Sequence, residues 1–213
     1  MRNLIALSYI VILTGCDFSG NNYKDVTSSK NDLDFYELVN VPFKDGATSG
    51  MIAIPRFLEK RKPPNKDNIF QYSYFDNNTG YLISIEKLMS RNTQKLSDKE
   101  YIDIIREGFK KEMNGDLSEI ERMLHPTMQN VKVIQFEGNL IIHDKYFFKR
   151  VSYYQDRDLA GTSLADVFCT NFQFVTVHNK TKYSINVNYY GDDKSVSELV
   201  GLFNTIGGSV YFN

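Results

Sequence analysis

Few side chains in this chain of 213 residues are equipped for chemistry, and their spacing is scattered. Three histidines stand at positions 125, 143 and 178. A zinc site draws its ligands from side chains that converge, often at short fixed spacings. No such spacing occurs here. His125 precedes Pro126 at the end of an expected helix, where a cationic ring meets the negative end of the helix dipole. His143 adjoins Asp144 in an expected turn, and His178 closes an expected strand beside the turn-forming "NKT". Three unrelated positions predict histidines with local roles and no metal.

Paired carboxylates can share general acid and base work. The candidates are "QDRD" (155–158) and "DDK" (192–194). Both lie in turn-like stretches, where Asp is favoured for bonding to the backbone. Cys169, in "DVFCTNFQFV", has no histidine placed near it by sequence and reads as a small buried hydrophobe. The chain contains no P-loop, G-x-G-x-x-G, G-x-S-x-G, H-E-x-x-H or C-x-x-C. A non-enzymatic protein without a cofactor is therefore expected. The rival is an enzyme whose site gathers distant groups: Asp156, Asp158, His143 or His178.

The most specific chemistry lies at Cys16. An apolar run from Leu4 to Leu13 follows Arg2. At ~10 residues it spans ~15 Å as a helix, against the ~30 Å of a bilayer core. That layout is a secretory signal peptide and not a membrane span. Its end, Leu13-Thr14-Gly15-Cys16, resembles the bacterial lipobox. The resemblance implies that the Cys16 thiol receives a diacylglyceryl group and that cleavage follows before it. Two or more lipid chains hold a protein firmly on a membrane. A membrane partner, reached through the lipid, is thus expected, in the bacterial envelope and facing the periplasm or exterior. In some bacteria Asp beside the lipidated cysteine, here Asp17, favours the inner membrane; which membrane holds this chain stays open.

Composition limits the partners. Hydrophobic residues are 42% and aromatics 14%, enough for a core, and the formal net charge is −1. Removing Arg2 with residues 1–15 leaves 24 basic against 26 acidic side chains, a net of −2. A nucleic-acid binder normally carries a basic excess, so none is expected. With Cys16 lipidated, Cys169 is left without an intramolecular partner, which excludes a disulfide framework.

Around these residues the elements follow from patterning. Residues 16–32 are polar, without apolar periodicity, and read as a tether. Residues 33–213 read as one domain. "FYELVNVPF" (35–43) and "GMIAIP" (50–55) are short strands, and "FLEKRKPPNKDN" (57–68) is a charged loop. Its basic part, 59–66, fits a solvated surface or a contact with anionic lipid or a partner. "IFQYSYFD" alternates Phe70, Tyr72 and Tyr74; after the turn "NNTG", Tyr81, Ile83 and Ile85 alternate on the return strand. Ser97 and Glu100 open a helix carrying Ile102, Ile105, Phe109 and Met113 on one face. A second short helix spans 116–126.

Strands then cover 130–138, 145–155, 166–178 and 182–190. Phe172 and Phe174 face inward with Tyr183, Ile185, Val187 and Tyr189. A last helix opens at Ser195 with Glu198 three residues on, buries Leu199, Phe203 and Ile206, and stops at Gly207-Gly208; "SVYFN" is an edge strand.

Hairpins in series with helices between them predict an α+β fold, an antiparallel sheet with helices packed on it. Over residues 33–212 this element order, with the terminal helix followed by "SVYF", resembles the PsbP-like α/β/α sandwich of photosystem II accessory proteins and small bacterial lipoproteins. The resemblance implies a domain that binds another protein more often than it catalyses. An immunity protein against a secreted toxin is one specific form. Opposite the inward face, Asn171, Gln173, Asn186, Asn188 and Tyr190 are the candidate binding residues, a polar surface for glycan or protein. The same five would also serve as the wet side of a half-buried sheet.

Overall fold

Two local signals set the helices. The computed structural model describes residues 32–43, 49–76, 79–89, 95–113, 128–156, 167–192 and 194–212. Helix α1 spans Asp98–Met113 and starts at a complete capping box. Ser97 N and Oγ both donate to Glu100 Oε2 at 2.7 Å, and Glu100 N donates to Ser97 Oγ at 3.2 Å. Helix α2 spans Val196–Gly208, and there Ser195 N and Oγ donate to Glu198 Oε2 at 2.7 Å. Each box satisfies backbone donors that the first helical turn leaves open.

The strands are β1 Tyr36–Val41, β2 Gly50–Pro55, β3 Glu59–Lys60, β4 Asn68–Phe75, β5 Gly80–Met89, β6 Met128–Ile142, β7 Lys145–Asp156, β8 Phe168–His178, β9 Thr181–Tyr190 and β10 Tyr211–Phe212. One helical turn, Asp32–Phe35, precedes β1. A seven-stranded antiparallel sheet runs β3-β4-β5-β9-β8-β7-β6, and a three-stranded one runs β1-β2-β10. Phe70 faces Ile85 and Tyr72 faces Ile83, so aromatic positions pair with aliphatic ones as the alternation requires.

Strand β8 carries apolar side chains on both faces, and both faces are covered. Phe172 and Phe174 pack with Tyr183, Ile185 and Val187 under α2 and the small sheet, which contribute Leu199, Phe203, Ile206, Ile52 and Ile54. On the other face Val175 and Val177 pack with Phe148 under Tyr101 and Ile102 of α1. The large sheet is therefore the middle layer, and the α+β expectation holds. Two tight turns, His143-Asp144 and Asn179-Lys180, have all four residues at positive φ, the geometry a two-residue hairpin demands.

Three boundaries and one exposure differ from the sequence reading. Strand β6 runs to Ile142, well past Gly138, because three register shifts against β7 break the alternation that marks a strand. The charged loop after Phe57 contains β3, paired with Tyr72 and Ser73. Helix α2 does not stop before Gly207; it includes both glycines and ends at Ser209. A Cβ at Gly207 would run into the Phe174 ring, so this glycine serves close packing of helix on sheet. Ser209 Oγ donates to Ile206 O at 2.7 Å and accepts from Ala53 N at 2.8 Å, tying the helix end to β2. Finally, Tyr74 shares the face of Phe70 and Tyr72 but is 39% exposed, because β4 outruns the core at that end. The signal peptide with Cys16, the tether up to residue 31, Asn77-Asn78, the helix expected over 116–126, His125 and Asp158 lie outside the described residues.

Candidate functional site

The five candidate polar residues do share one face and adjoin one another on β8 and β9. Asn171 stands opposite Asn188, and Gln173 opposite Asn186. The face is not open, however. Asn171, Asn188 and Tyr190 are buried, and Gln173 and Asn186 are half-buried. The amides are engaged with one another: Asn171 Nδ2 donates to Asn188 Oδ1 at 2.5 Å, and Ser152 Oγ donates to Asn171 Oδ1 at 3.4 Å. Gln173 Nε2 donates to Ser184 Oγ at 2.9 Å, which in turn donates to Asn186 Oδ1 at 3.4 Å. Tyr190 packs against Tyr154 and Cys169, with Phe75 5.7 Å away between ring centroids. A buried polar network inside a sheet layer restrains register and geometry, although Gln173 Oε1 accepts no hydrogen bond within it. The expectation of an exposed polar surface is corrected accordingly.

The network continues across strands that sequence alone does not align. Arg150 of β7 pairs with Gln173, and Ser84 of β5 with Asn186. The Arg150 guanidinium lies 4.8 Å from the Phe109 ring centroid, and Lys182 Nζ lies 5.3 Å from the same ring. Glu86 sits on this face, and burial raises its pKa above the usual carboxylate value. The nearby Lys182 lowers it, and Asp67 raises it further.

Among the described residues, the groups considered for a rival active site do not gather at one place, because the two histidines and Asp156 lie at opposite ends of the large sheet. His143 and His178 lie at one end of the large sheet, each against β10. His143 stacks edge-on to Tyr211 at 5.6 Å, and His178 lies 4.8 Å from the Phe212 ring. Burial lowers the His143 pKa; Asp144 and a bond to the Gly208 backbone act the other way. Asp156 ends β7, opposite Met128. Eleven residue-to-residue rises along β7 separate it from Lys145, roughly 35 Å. Cys169 is fully buried, as a small hydrophobe would be, and no group of metal-ligating side chains forms among the described residues. No helix among them is long and apolar enough to cross a membrane.

Two surfaces are exposed and apolar instead. On the β6–β7 edge, Ile141 is 71% exposed and stands directly opposite Tyr146, 49% exposed. No strand pairs with the outer side of β6 among the described residues. At the opposite edge, Phe35, Phe57 and Tyr74 form an exposed ring cluster. Sequence reasoning missed both. "NLII" (139–142) carried a signal in its apolar run, but Phe57 at the head of a charged loop carried none.

No protein-family model matches the chain, and no curated protein matches it in sequence. Solved structures do. The solution structure of cyanobacterial PsbP from Synechocystis sp. PCC 6803 matches with a TM-score of 0.51 at 9% identity, over 91% of this chain and 98% of that one. The fold is PsbP-like. Two others resemble it less. LpqN of Mycobacterium tuberculosis, described as involved in cell envelope biogenesis, has a TM-score of 0.45 at 9% identity over 91% of this chain and 99% of its own. The Ran-binding protein Mog1p of Saccharomyces cerevisiae has 0.44 at 13% identity over 83% and 95%. Only the PsbP likeness bears on the fold, and a PsbP-like sandwich does not by itself assign a function.

Proposed function

We propose that this chain is a lipid-anchored protein of the bacterial envelope whose PsbP-like domain binds another protein and is not an enzyme. The observation that carries the binding role is the outer edge of β6. Its exposed Ile141 lies directly across from exposed Tyr146. An extended segment of a partner adds to such an edge through backbone hydrogen bonds, and alternate side chains give specificity. The register shifts nearby confine regular pairing to a short stretch, Leu140–Ile142 opposite Lys145–Phe147. That suits a partner offering a few residues and disfavours open-ended aggregation.

A photo-crosslinking residue at position 141 should trap one discrete protein adduct in intact cells, while one at position 59, on the opposite edge, should not. Absence of an adduct at 141 refutes the reading. The anchor is tested separately. Mass spectrometry of membrane fractions should find lipid on Cys16, and Cys16→Ser should leave the precursor uncleaved. An unmodified Cys16, or a mature start elsewhere, refutes it. The finer role is immunity to a secreted toxin. Cells lacking the protein would then be killed in co-culture with kin that carry it; their survival rules that role out.

A further inference from the structure

We propose that the domain docks on the anionic membrane surface through the cluster of Phe35, Phe57 and Tyr74 and the basic loop that follows Phe57. The three rings are 43%, 38% and 39% exposed. They touch in sequence: Phe35 to Phe57 at 5.8 Å, Phe57 to Tyr74 at 6.0 Å, and Phe57 to Tyr81 at 5.3 Å between centroids. The backbone holds them together, since Arg56 N donates to Phe35 O at 3.0 Å. Large rings left half in water at one spot mark a contact surface. Aromatic side chains suit a membrane interface because they seat a flat apolar body at the headgroup level.

The charge beside them selects the occupant. Residues 56–67 carry five basic side chains, Arg56, Lys60, Arg61, Lys62 and Lys66, against two acidic ones, Glu59 and Asp67, a net of +3. All seven are exposed. Arg61 is paired with Glu59 at 2.8 Å, so the other four supply the attraction. Lys60 stands opposite Tyr72 and thus shares the face of Tyr74. Exposed Asp34 is the opposing charge nearest Phe35 in sequence.

Position makes the contact feasible. The described chain begins at Asp32, and its first helical turn ends at Phe35, inside the cluster. Under the lipid-anchor reading, on which this inference rests, residues 16–31 join the bilayer to that point. Sixteen residues reach at most about 55 Å. The tether thus joins the domain at the cluster, which keeps the cluster within reach of the lipid. The β6 edge lies six strands away in the sheet, about 29 Å, so the cluster and the β6 edge are separate surfaces.

The test uses the chain from residue 16 with Cys16→Ser, so that no lipid contributes. Its partition onto phosphatidylcholine vesicles with and without phosphatidylglycerol is measured by co-sedimentation. Binding is expected only with phosphatidylglycerol and should weaken with salt. Lys60→Ala with Lys62→Ala should lower the partition coefficient roughly ten- to thirty-fold, since each basic residue near an anionic surface contributes about a factor of five. Phe57→Ser should weaken binding, with an unchanged thermal melt showing that the fold is kept. Three results overturn the proposal: no binding to anionic vesicles, as when residues 16–31 cover the rings; equal binding to neutral vesicles; or variants that bind like the parent. These outcomes do not depend on the anchor. If the lipid reading alone is wrong, Cys16 is unmodified in cells while vesicle binding persists; if docking alone is wrong, Cys16 carries lipid while vesicle binding is lost.

Discussion

The Asp98 carboxylate clasps the turn at Lys180. Its Oδ1 accepts from Lys180 N and its Oδ2 from Asn179 N, each at 2.9 Å. The Lys180 ammonium returns the contact by donating to Leu96 O, just before the helix. The start of α1 is thus fastened to the β8–β9 hairpin, eighty residues along the chain. Both turn residues have positive φ, so their N–H groups point outward together and need an acceptor. Asp98→Ala should destabilise the protein by about 1–2 kcal/mol, a modest value because the site is partly solvated. Asp98→Asn should recover only part of that, since an amide offers one acceptor oxygen. Urea melts of the three proteins provide the check; equal midpoints would show that the clasp contributes nothing.

Two glycines of α2 should respond with opposite sign. Gly207→Ala drives a methyl into the Phe174 ring, and overpacking of this kind costs about 1–3 kcal/mol. Gly201 is exposed and has open space where its Cβ would stand. Gly201→Ala should stabilise by about 0.5–1 kcal/mol through helix propensity. Thermal melts decide it: if both substitutions shift the midpoint the same way, α2 does not sit on β8 as described.

Phe203 tests the docking of that helix more severely. It is fully buried, edge-on to Phe172 at 4.9 Å. Phe203→Ala should cost about 3–5 kcal/mol, a large share of a typical ~5–15 kcal/mol total. Glu198→Ala, at the exposed start of the same helix, should have a much smaller effect. A silent Phe203→Ala in chemical denaturation would detach α2 from the core.

Acid should loosen both helix starts. Bonds from the Ser97 side chain and backbone lower the Glu100 pKa, and Ser195 does the same for Glu198. A carboxyl with a lowered folded pKa contributes fully above its ordinary value, near 4.5, and loses that contribution as pH falls through the lowered one. Glu86 has the opposite sign, because burial raises its pKa. Its ionised form is penalised at neutral pH, and the penalty disappears below the ordinary carboxylate value. Glu86→Gln should therefore raise stability at pH 7 and not at pH 3. Melts at the two pH values separate the cases; a Gln variant that is no more stable at pH 7 would mean that Lys182 fully offsets the burial.

Cys169 should be inert in the native state. Its side chain is fully buried between Tyr154 and Tyr190, and a thiol must be exposed and ionised to react. Alkylation should proceed only as fast as the protein opens, and quickly in denaturant. Rapid native-state labelling, followed by mass, would place this part of β8 outside the core.

What the sequence determined by itself is local. Both capping boxes follow from Ser and Glu three residues apart, and the "NKT" turn and the inward faces of β4, β5, β8 and β9 follow from spacing alone. Strand and helix periods put these side chains where they are whatever else the chain does. Periodicity also separates the two faces of β8 and β9, and it grouped Asn171, Gln173, Asn186, Asn188 and Tyr190 correctly on one of them. It does not say what lies over a face. Only the tertiary structure decided that α1 and an aromatic cluster close this face, that Tyr74 and Ile141 outrun the core, that three register shifts extend β6, and that Asp98 reaches the β8–β9 turn. Burial, register across irregular strands and contacts between distant residues depend on how layers stack in space, and no short window of sequence contains both partners of such a contact.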